Sequence, residues 1–476
     1  MHLSAEQQTI LDYLVSDASA DNLTMISAVS GSGKTTMLKA IATTLKPTSG
    51  LYLAYNKSVA DEAQSKFPKS VVCLTTHALA YKNTVKQFKL KLGQFTYRSI
   101  SESIPYDNKQ ALVNHIRAFC LSAHTSFSSY AEYAFLSPQE VKLATKYLGL
   151  MQAGSIECSH DFYLKLFHIL LATEAITYKP FDILFLDEAG DLNEVTLEIF
   201  KLIPAVRKVM VGDPFQNVYA FNHTINCFSV MHGKGKLFPM SQSFRVESSI
   251  AKSVEQFCQK YIDPSFHFQG VSYEPIPEVR TRAYISRTNS ALIAKMVELN
   301  QLGIQYGLTR TAKQIFELPL ALCSLKYQGF FANPEYKHIQ DDVDHYFESD
   351  TLRQEFRTPL MYIKHAHSND IALQTAIKAV ITYGPDKLIT CYKEALKHEK
   401  VYQSYMLGTS HSCKGLEFDE VTLAPDINDA VIEAINLITY SGKTYETLPI
   451  EHQSELNLYY VACTRARYRL NDAAHL

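Results

Sequence analysis

The sequence predicts an α/β protein built on parallel sheets, and three observations carry that expectation. Short apolar runs at Leu23 to Ala28, Gly50 to Tyr55, Val71 to Thr75, Ile183 to Leu186 and Lys208 to Val211 read as strands that end in polar loops. Stretches of helical spacing alternate with these runs, which implies parallel pairing. The loops that carry unusual chemistry begin at the carboxyl ends of the runs, where open α/β sheets collect ligands. At 476 residues the chain is too long for one ordinary core, and its length suggests roughly three structural units.

Composition narrows the class. Hydrophobic residues at 46% and charged residues at 20%, with 25 Phe and 29 Tyr, describe globular cores rather than disorder. No stretch approaches the roughly 18 uninterrupted apolar residues of a membrane span. The start of the chain, Met1 to Glu6, lacks a basic region followed by an apolar one, so the cytoplasm is the expected compartment and no membrane partner is expected. Nine cysteines lie singly from Cys73 to Cys463 with no Cys-x-x-Cys pair, which argues against a disulfide framework and a zinc site. A formal charge of −2 means that any nucleic-acid contact must come from local lysines and arginines.

Residues Ala28 to Thr35 (AVSGSGKT) match a phosphate-binding loop in which Ala28 replaces the usual first glycine. The loop follows a strand and opens a helix at Thr36 to Leu45, so backbone N–H groups at Ser30, Gly31, Ser32 and Gly33 can cradle phosphate oxygens. Lys34 then reaches the β/γ-phosphates and Thr35 ligates Mg²⁺. A strand at Ile183 to Leu186 ends in Asp187 and Glu188. In that pairing Asp187 holds the Mg²⁺ shell and Glu188 polarises the attacking water. Taken alone, Asp187 or Asp191 reads as a helix N-cap; the conjunction with the phosphate loop favours the catalytic reading.

The order GSGKT, DEAG and then Val211 to Gln216 (VGDPFQ) resembles the UvrD/Rep family of superfamily 1 helicases. Further segments resemble that family in its own order: Leu3 to Gln8 (LSAEQQ), Ser243 to Arg245, Arg287 to Asn289, Gly408 to Phe418 (GTSHSCKGLEF) and Leu458 to Arg467 (LYYVACTRAR). Tyr52 to Ala60 (YLAYNKSVA), Thr76 with His77, and Gln242 to Arg245 (QSFR) look most like the eukaryotic F-box DNA helicase branch and its compact prokaryotic or viral relatives, although no F-box segment is evident.

The resemblance implies two RecA-like parallel-sheet motor domains flanking an ATP cleft, each with a mainly helical insertion. Residues 1–83 and 176–230 would form the first motor domain with insertion 84–175; residues 231–304 and 401–476 would form the second with insertion 305–400. It also implies that Gln7 pairs with the adenine edge, Phe244 stacks on adenine, Thr36 flanks the base and Glu417 bonds the ribose. Gln216 would sense the γ-phosphate, while Arg245 and Arg465 would supply arginine-finger charge. Two departures stand out: the family usually carries glutamine where Gly190 stands, and Thr36 occupies a position that is often an arginine.

A track for a single strand needs backbone-facing donors and flat side chains. By resemblance, Tyr55, Asn56, Thr76 and His77 contact the strand in the first half, Thr409 and His411 in the second. Tyr219 and Phe221 have the spacing of the family's stacking aromatics, with core packing as the alternative; Asn222 follows where arginine is common. Lys82, Lys86, Lys89, Lys91 and Arg98 form either a phosphate stripe or a solvated helix face. His365 and His367 lack ligand spacing and read as surface residues.

The implied function is that of an ATP- and Mg²⁺-dependent single-stranded DNA translocase and DNA helicase, with 3′ to 5′ polarity by resemblance. Its partners would be single-stranded DNA, tailed or forked duplexes, and recombination or replication proteins, with a nucleoid or nuclear setting. A nucleotide-gated clamp or recombinase-displacing protein with little unwinding is the alternative, kept open by Gly190. A P-loop kinase is a third reading, one that needs neither an aromatic track nor a second arginine-bearing half.

Overall fold

The computed structural model describes residues 3–16, 22–218, 224–325, 336–368, 370–399 and 403–476. The chain divides into two compact units, Met1–Phe244 and Arg245–Leu476. In the first, helix α1 (Ala5–Val15) precedes β1 (Leu23–Ala28), α2 (Lys34–Leu45), β2 (Gly50–Ala54), α3 (Lys57–Lys66), β3 (Val71–Thr75) and α4 (Thr76–Asn83). A mainly helical stretch follows, with α5 (Tyr106–Leu121), α6 (Pro138–Gln152) and α7 (His160–Ala172), before β4 (Phe181–Leu186), α8 (Glu194–Leu202), β5 (Ala205–Gly212) and β6 (Lys236–Met240). These six strands form one parallel sheet in the order β6, β1, β5, β4, β2, β3. Strand β6 lies in the sequence range expected for the second motor domain, yet it pairs with β1 from Thr24–Lys236 to Ala28–Met240.

The apolar character of the central strands follows from having a core on each face. Successive strand residues point to opposite sides. Met25, Leu53, Leu184, Leu186 and Met210 enter one core, shared with α5, α6, α7 and α8. Ile26, Tyr52, Ile183, Phe185, Val209 and Val211 enter the other, with residues of α1, α2 and α3. The helical stretch therefore has no separate core of its own: Ile116, Phe119, Tyr147 and Phe167 belong to the same cluster as the sheet residues. Its helices start where the sequence supplies caps. Ser137 and Glu140 form a reciprocal capping box on α6, with Pro138 in its first turn, and Ser159 caps α7.

The second unit repeats the design. Strand β7 (Gln242–Glu247) pairs with β8 (Gln269–Val271) in a small sheet, and α9 (Ser248–Tyr261) lies between them in sequence. Then come β9 (Arg282–Ser286), α10 (Asn289–Leu302), β10 (Gly307–Leu308), α11 (Ala312–Ser324), α12 (Ile371–His398), β11 (Tyr405–Thr409), β12 (Phe418–Leu423), α13 (Pro425–Ser441), α14 (Ile450–Cys463) and β13 (Ala466–Asn471). Five strands form a parallel sheet in the order β10, β11, β9, β12, β13. Residues of α10, α11 and α12 share a core with Leu407 of β11. Helix α12 kinks at Gly384, followed by Pro385, where the missing N–H and the ring interrupt the ladder. All nine cysteines are free, and only Cys323 is not buried. Among the described residues no helix is long and apolar enough to cross a membrane.

One polar pair is buried inside the helical stretch of the first unit. Lys165 donates to the carbonyls of Ser122 and His124, each at 2.7 Å, and its ammonium lies 4.7 Å from the centre of the Phe119 ring. Nδ1 of His168 is 3.5 Å from Lys165 Nζ, and His168 is 1% exposed. Burial, then the charges of Lys165 and Lys201, push the imidazole down to about 3. Below its ordinary value, near 6.5, the unfolded chain binds a proton that the folded chain refuses, so stability falls as pH falls. The thermal unfolding midpoint should therefore drop between pH 7 and pH 5, and His168→Gln should flatten that dependence; equal slopes in the two proteins would contradict the assignment.

Candidate nucleotide site and strand cavity

The phosphate loop connects β1 to α2 at the carboxyl edge of the first sheet. Gly33, at φ +83°, adopts the left-handed conformation that precedes α2, a position that favours glycine. Ser32 donates from Oγ to Val29 O at 2.7 Å, and Phe244 N donates to Gly31 O at 2.9 Å. Gln7 braces the loop: its Nε2 donates to Ser32 O at 3.1 Å, and its Oε1 accepts from Ser4 N at 3.0 Å. Glu6 ties the same helix to the chain after β6 by accepting from Ser241 N at 2.8 Å. A Cβ placed on Gly33 would lie 3.3 Å from Gln7 Nε2 and 3.9 Å from the Phe244 ring. Gln7 and Phe244 thus border the cradle together. Phe244 is 49% exposed, and Thr36 is also exposed. Ser30 and Ser32 are buried, while Thr35 is partly exposed on the first turn of α2.

Across from the loop, β4 delivers two adjacent carboxylates. Lys34 Nζ stands 3.5 Å from Glu188 Oε2. Asp187 is buried; it accepts a hydrogen bond from the Tyr52 hydroxyl and another from Glu188 N at 2.8 Å. Burial and then the charge of Glu188 hold the Asp187 carboxyl above the ordinary carboxylate range, opposed by Tyr52 and Lys34. Burial, followed by the same carboxylate, drives the Tyr52 phenol far up. Glu188 itself has φ +53°, a left-handed conformation that costs a residue with a side chain on the order of 1 kcal/mol. Excess negative charge and oxygen donors at Asp187 and Thr35 fit Mg²⁺, which takes one or two carboxylates together with substrate phosphates.

The loop after β4 meets the loop after β5 backbone to backbone. Ala189 N donates to Val211 O at 2.9 Å. A Cβ on Gly190 would fall 2.0 Å from Asp213 O, and one on Gly212 would fall 2.7 Å from the nitrogens of Ala189 and Gly190. The missing side chain at 190 is therefore a packing requirement. Beyond it, Asp213 accepts from Gln216 Nε2 at 2.8 Å and from Phe215 N at 3.1 Å, which orients Gln216.

A cavity of about 400 Å³ opens beside these loops and includes Tyr55, Thr76, His77, Arg117, Asp161 and Asn193 in its lining. It brings together three of the residues expected to contact a strand. Asn56, also expected to contact the strand, caps α3 by accepting from Val59 N at 2.9 Å. The His77 ring meets Tyr163 edge-on at 5.9 Å, and burial lowers its pKa, so it adds little positive charge. Arg117 and Asp161 come from the helical stretch and carried no motif signal. Tyr52 and Glu6 were likewise missed as site residues, although Tyr52 stands inside a segment that resembles the family. Lys82, Lys86, Lys89, Lys91 and Arg98 are all exposed. Tyr219, Phe221 and Asn222 lie outside the described residues.

In the second unit the expected residues are tied to their own neighbours. Arg245 donates to Glu417 at 2.9 Å and to Thr464 O at 3.3 Å. Arg465 is 2% exposed and donates to Val461 O at 2.9 Å and Leu416 O at 3.3 Å. Thr409 N donates to Ser412 Oγ at 2.9 Å, Thr409 is buried and His411 half-buried. Arg287 grips both Glu455 oxygens at 2.8 and 2.9 Å through Nε, while Asp426 accepts from the amides of Arg287 and Thr288. This triplet fastens α10, α13 and α14 together. His367, expected at the surface, is only partly exposed and lies 2.7 Å from Asp342.

Fold and loops define a P-loop protein of parallel α/β architecture, with a nucleotide cradle and paired carboxylates on one sheet. The family described as an AAA domain matches residues 12–222. The chain is similar to F-box DNA helicase 1 of Gallus gallus, at 23% identity over 513 aligned residues, covering 98% of this chain and 48% of that protein. It is similar also to F-box DNA helicase protein 1 of Schizosaccharomyces pombe, at 23% identity over 527 aligned residues, covering 98% of this chain and 57% of that protein. The chain spans about half the length of these relatives. These likenesses agree with the resemblance of its loop order to the UvrD/Rep family of superfamily 1.

Restoring the family's glutamine at Gly190 should be costly. Gly190→Gln or Gly190→Ala is expected to destabilise the protein by about 1–3 kcal/mol, the usual range for overpacking. Urea unfolding would register this as a lowered midpoint, and an unchanged midpoint would mean that the two loops can part freely.

Proposed function

We propose that the chain is an ATP-driven motor that moves along single-stranded DNA and separates duplex DNA, with 3′ to 5′ polarity. The supporting observation is one sheet edge that carries both the Lys34–Glu188 pair at 3.5 Å and the cavity with Tyr55, Thr76 and His77. Nucleotide chemistry and strand contact can then share one rigid support.

In this reading the amides of Ser30 to Gly33 and the Lys34 ammonium bind the phosphates, and Phe244 stacks on the adenine that Gln7 borders. Asp187 and Thr35 hold Mg²⁺, whose charge neutralises the phosphate oxygens when bound. Glu188 orients water and accepts its proton, with the Lys34 ammonium 3.5 Å from that carboxylate until the phosphates compete for the lysine. Gln216, held by Asp213, reports the state of the γ-phosphate to the loop that leads to Tyr219 and Phe221. Thr409 and His411 contact the strand in the second unit, and the roles of Arg245, Arg465 and Glu417 follow the family resemblance. Residues 1–83 with 176–230, and 231–304 with 401–476, act as the motor domains, except that β6 (Lys236–Met240) joins the first; 84–175 and 305–400 are their insertions. Tailed or forked duplexes are the proposed substrates, recombination or replication proteins the proposed partners, and the nucleoid or nucleus the proposed setting.

A second reading, a nucleotide-gated clamp with little unwinding, is favoured by one observation: Gly190 offers no side chain to link hydrolysis with the strand. ATP hydrolysis measured with and without single-stranded DNA, beside a duplex-separation assay, distinguishes the two. The motor should be stimulated by the strand, should unwind a tailed duplex, and should lose turnover by at least about 10²-fold in Glu188→Gln. Nucleotide-dependent strand binding without unwinding would support the clamp. Lys34→Ala should abolish hydrolysis, and normal turnover in that variant would refute the assigned cradle.

A further inference from the structure

The cavity beside the loop after β4 contains a cation that none of the recognised motifs supplies. Arg117 sits on α5 and Asp161 in the first turn of α7. Arg117 Nε and Asp161 Oδ2 are 3.6 Å apart, with side chains 57% and 27% exposed. A tight charge-assisted hydrogen bond is about 2.7 to 2.9 Å long. This pair is a loose one at a wet surface, where a stronger anion can displace the carboxylate.

Around the pair, Tyr55 and His77 offer flat rings, while Thr76, Asn193, Thr196 and Thr224 offer short polar side chains. Two carboxylates, Asp161 and Asp191, stand against the one guanidinium, and His77 is held towards its neutral form by burial. A ligand that displaces Asp161 from Arg117 brings its own negative charge, and a flat group can meet the rings. A nucleotide unit of a single strand does both. Asp161 then competes with the phosphate for the same guanidinium and limits how tightly the strand is gripped.

We propose that Arg117 contacts a backbone phosphate of the bound strand and that Asp161 is a built-in competitor for that contact, keeping affinity low enough for stepping. This rests on the strand-binding reading above, to which it adds a residue pair from the helical insertion. Opposite signs distinguish it from a structural ion pair. Breaking a structural pair from either side would have similar effects, whereas breaking a competitive pair weakens binding from one side and strengthens it from the other.

The experiment is fluorescence anisotropy of a labelled oligothymidylate with the full chain at several salt concentrations. Arg117→Ala should weaken binding roughly three- to tenfold and reduce the slope of log K against log salt by about 0.7, the share of one single-strand phosphate contact. Arg117→Lys should keep most of the slope, because an ammonium can still meet a phosphate. Asp161→Asn should tighten binding several-fold, and the double variant Arg117→Ala with Asp161→Asn should match Arg117→Ala alone. If the wild type binds and all variants titrate like it, the role of Arg117 is overturned while the motor reading stands. Weaker binding by both single variants also overturns the competitor. A wild type that binds no oligonucleotide overturns the strand-binding reading and this inference with it.

Discussion

Two adjacent carboxylates at the end of a central, doubly buried strand are the constraint on which the first unit turns. Asp187 cannot be ionised there cheaply, because burial and the neighbouring Glu188 both oppose its charge. The surroundings answer that cost: Tyr52 donates from the next strand, Lys34 approaches from the phosphate loop, and the Glu188 amide donates to Asp187. The loops are therefore arranged around crowded negative charge, a tension that a bound cation can relieve. Such tension is a common mark of functional sites, where groups are poised for chemistry rather than for stability.

Much of this was legible in the amino-acid order, for physical reasons. Strands buried on both faces leave largely apolar runs, so Leu23–Ala28 could be bounded without coordinates. The phosphate loop is local chemistry, readable wherever glycine, lysine and threonine occur in that spacing. Strand β6 was grouped with the wrong half of the chain because its pattern is weak. It contains Pro239 and lies at the sheet's edge, where proline is tolerated and apolar pressure is lower. Other site features depend on distant residues meeting. Gln7 reads as a base-recognising amide, yet it also braces Ser32, 25 positions away. Arg117 and Asp161 meet only because two helices pack together, and no pattern local to either announces it.

The second unit shows how a recognisable segment can serve the scaffold. Arg287, Thr288 and Asn289 were found by resemblance, but their described bonds run to Glu455, Asp426 and the start of α10. Arg287 is charged and largely shielded, and its bidentate partner keeps that charge satisfied. Arg465 is similarly bound to carbonyls of its own unit. A motif marks where a family keeps a residue, while the bonds determine whether it holds the frame or meets a ligand.

The contact of Gly190 with Asp213, and of Gly212 with the amides of Ala189 and Gly190, has a historical consequence. Neither loop has room to acquire a side chain at these points while the other keeps its course. A single change to glutamine at 190 passes through a less stable protein, so selection for stability opposes it. Further variation in this region is channelled into paired changes, or into positions that leave both backbones in place.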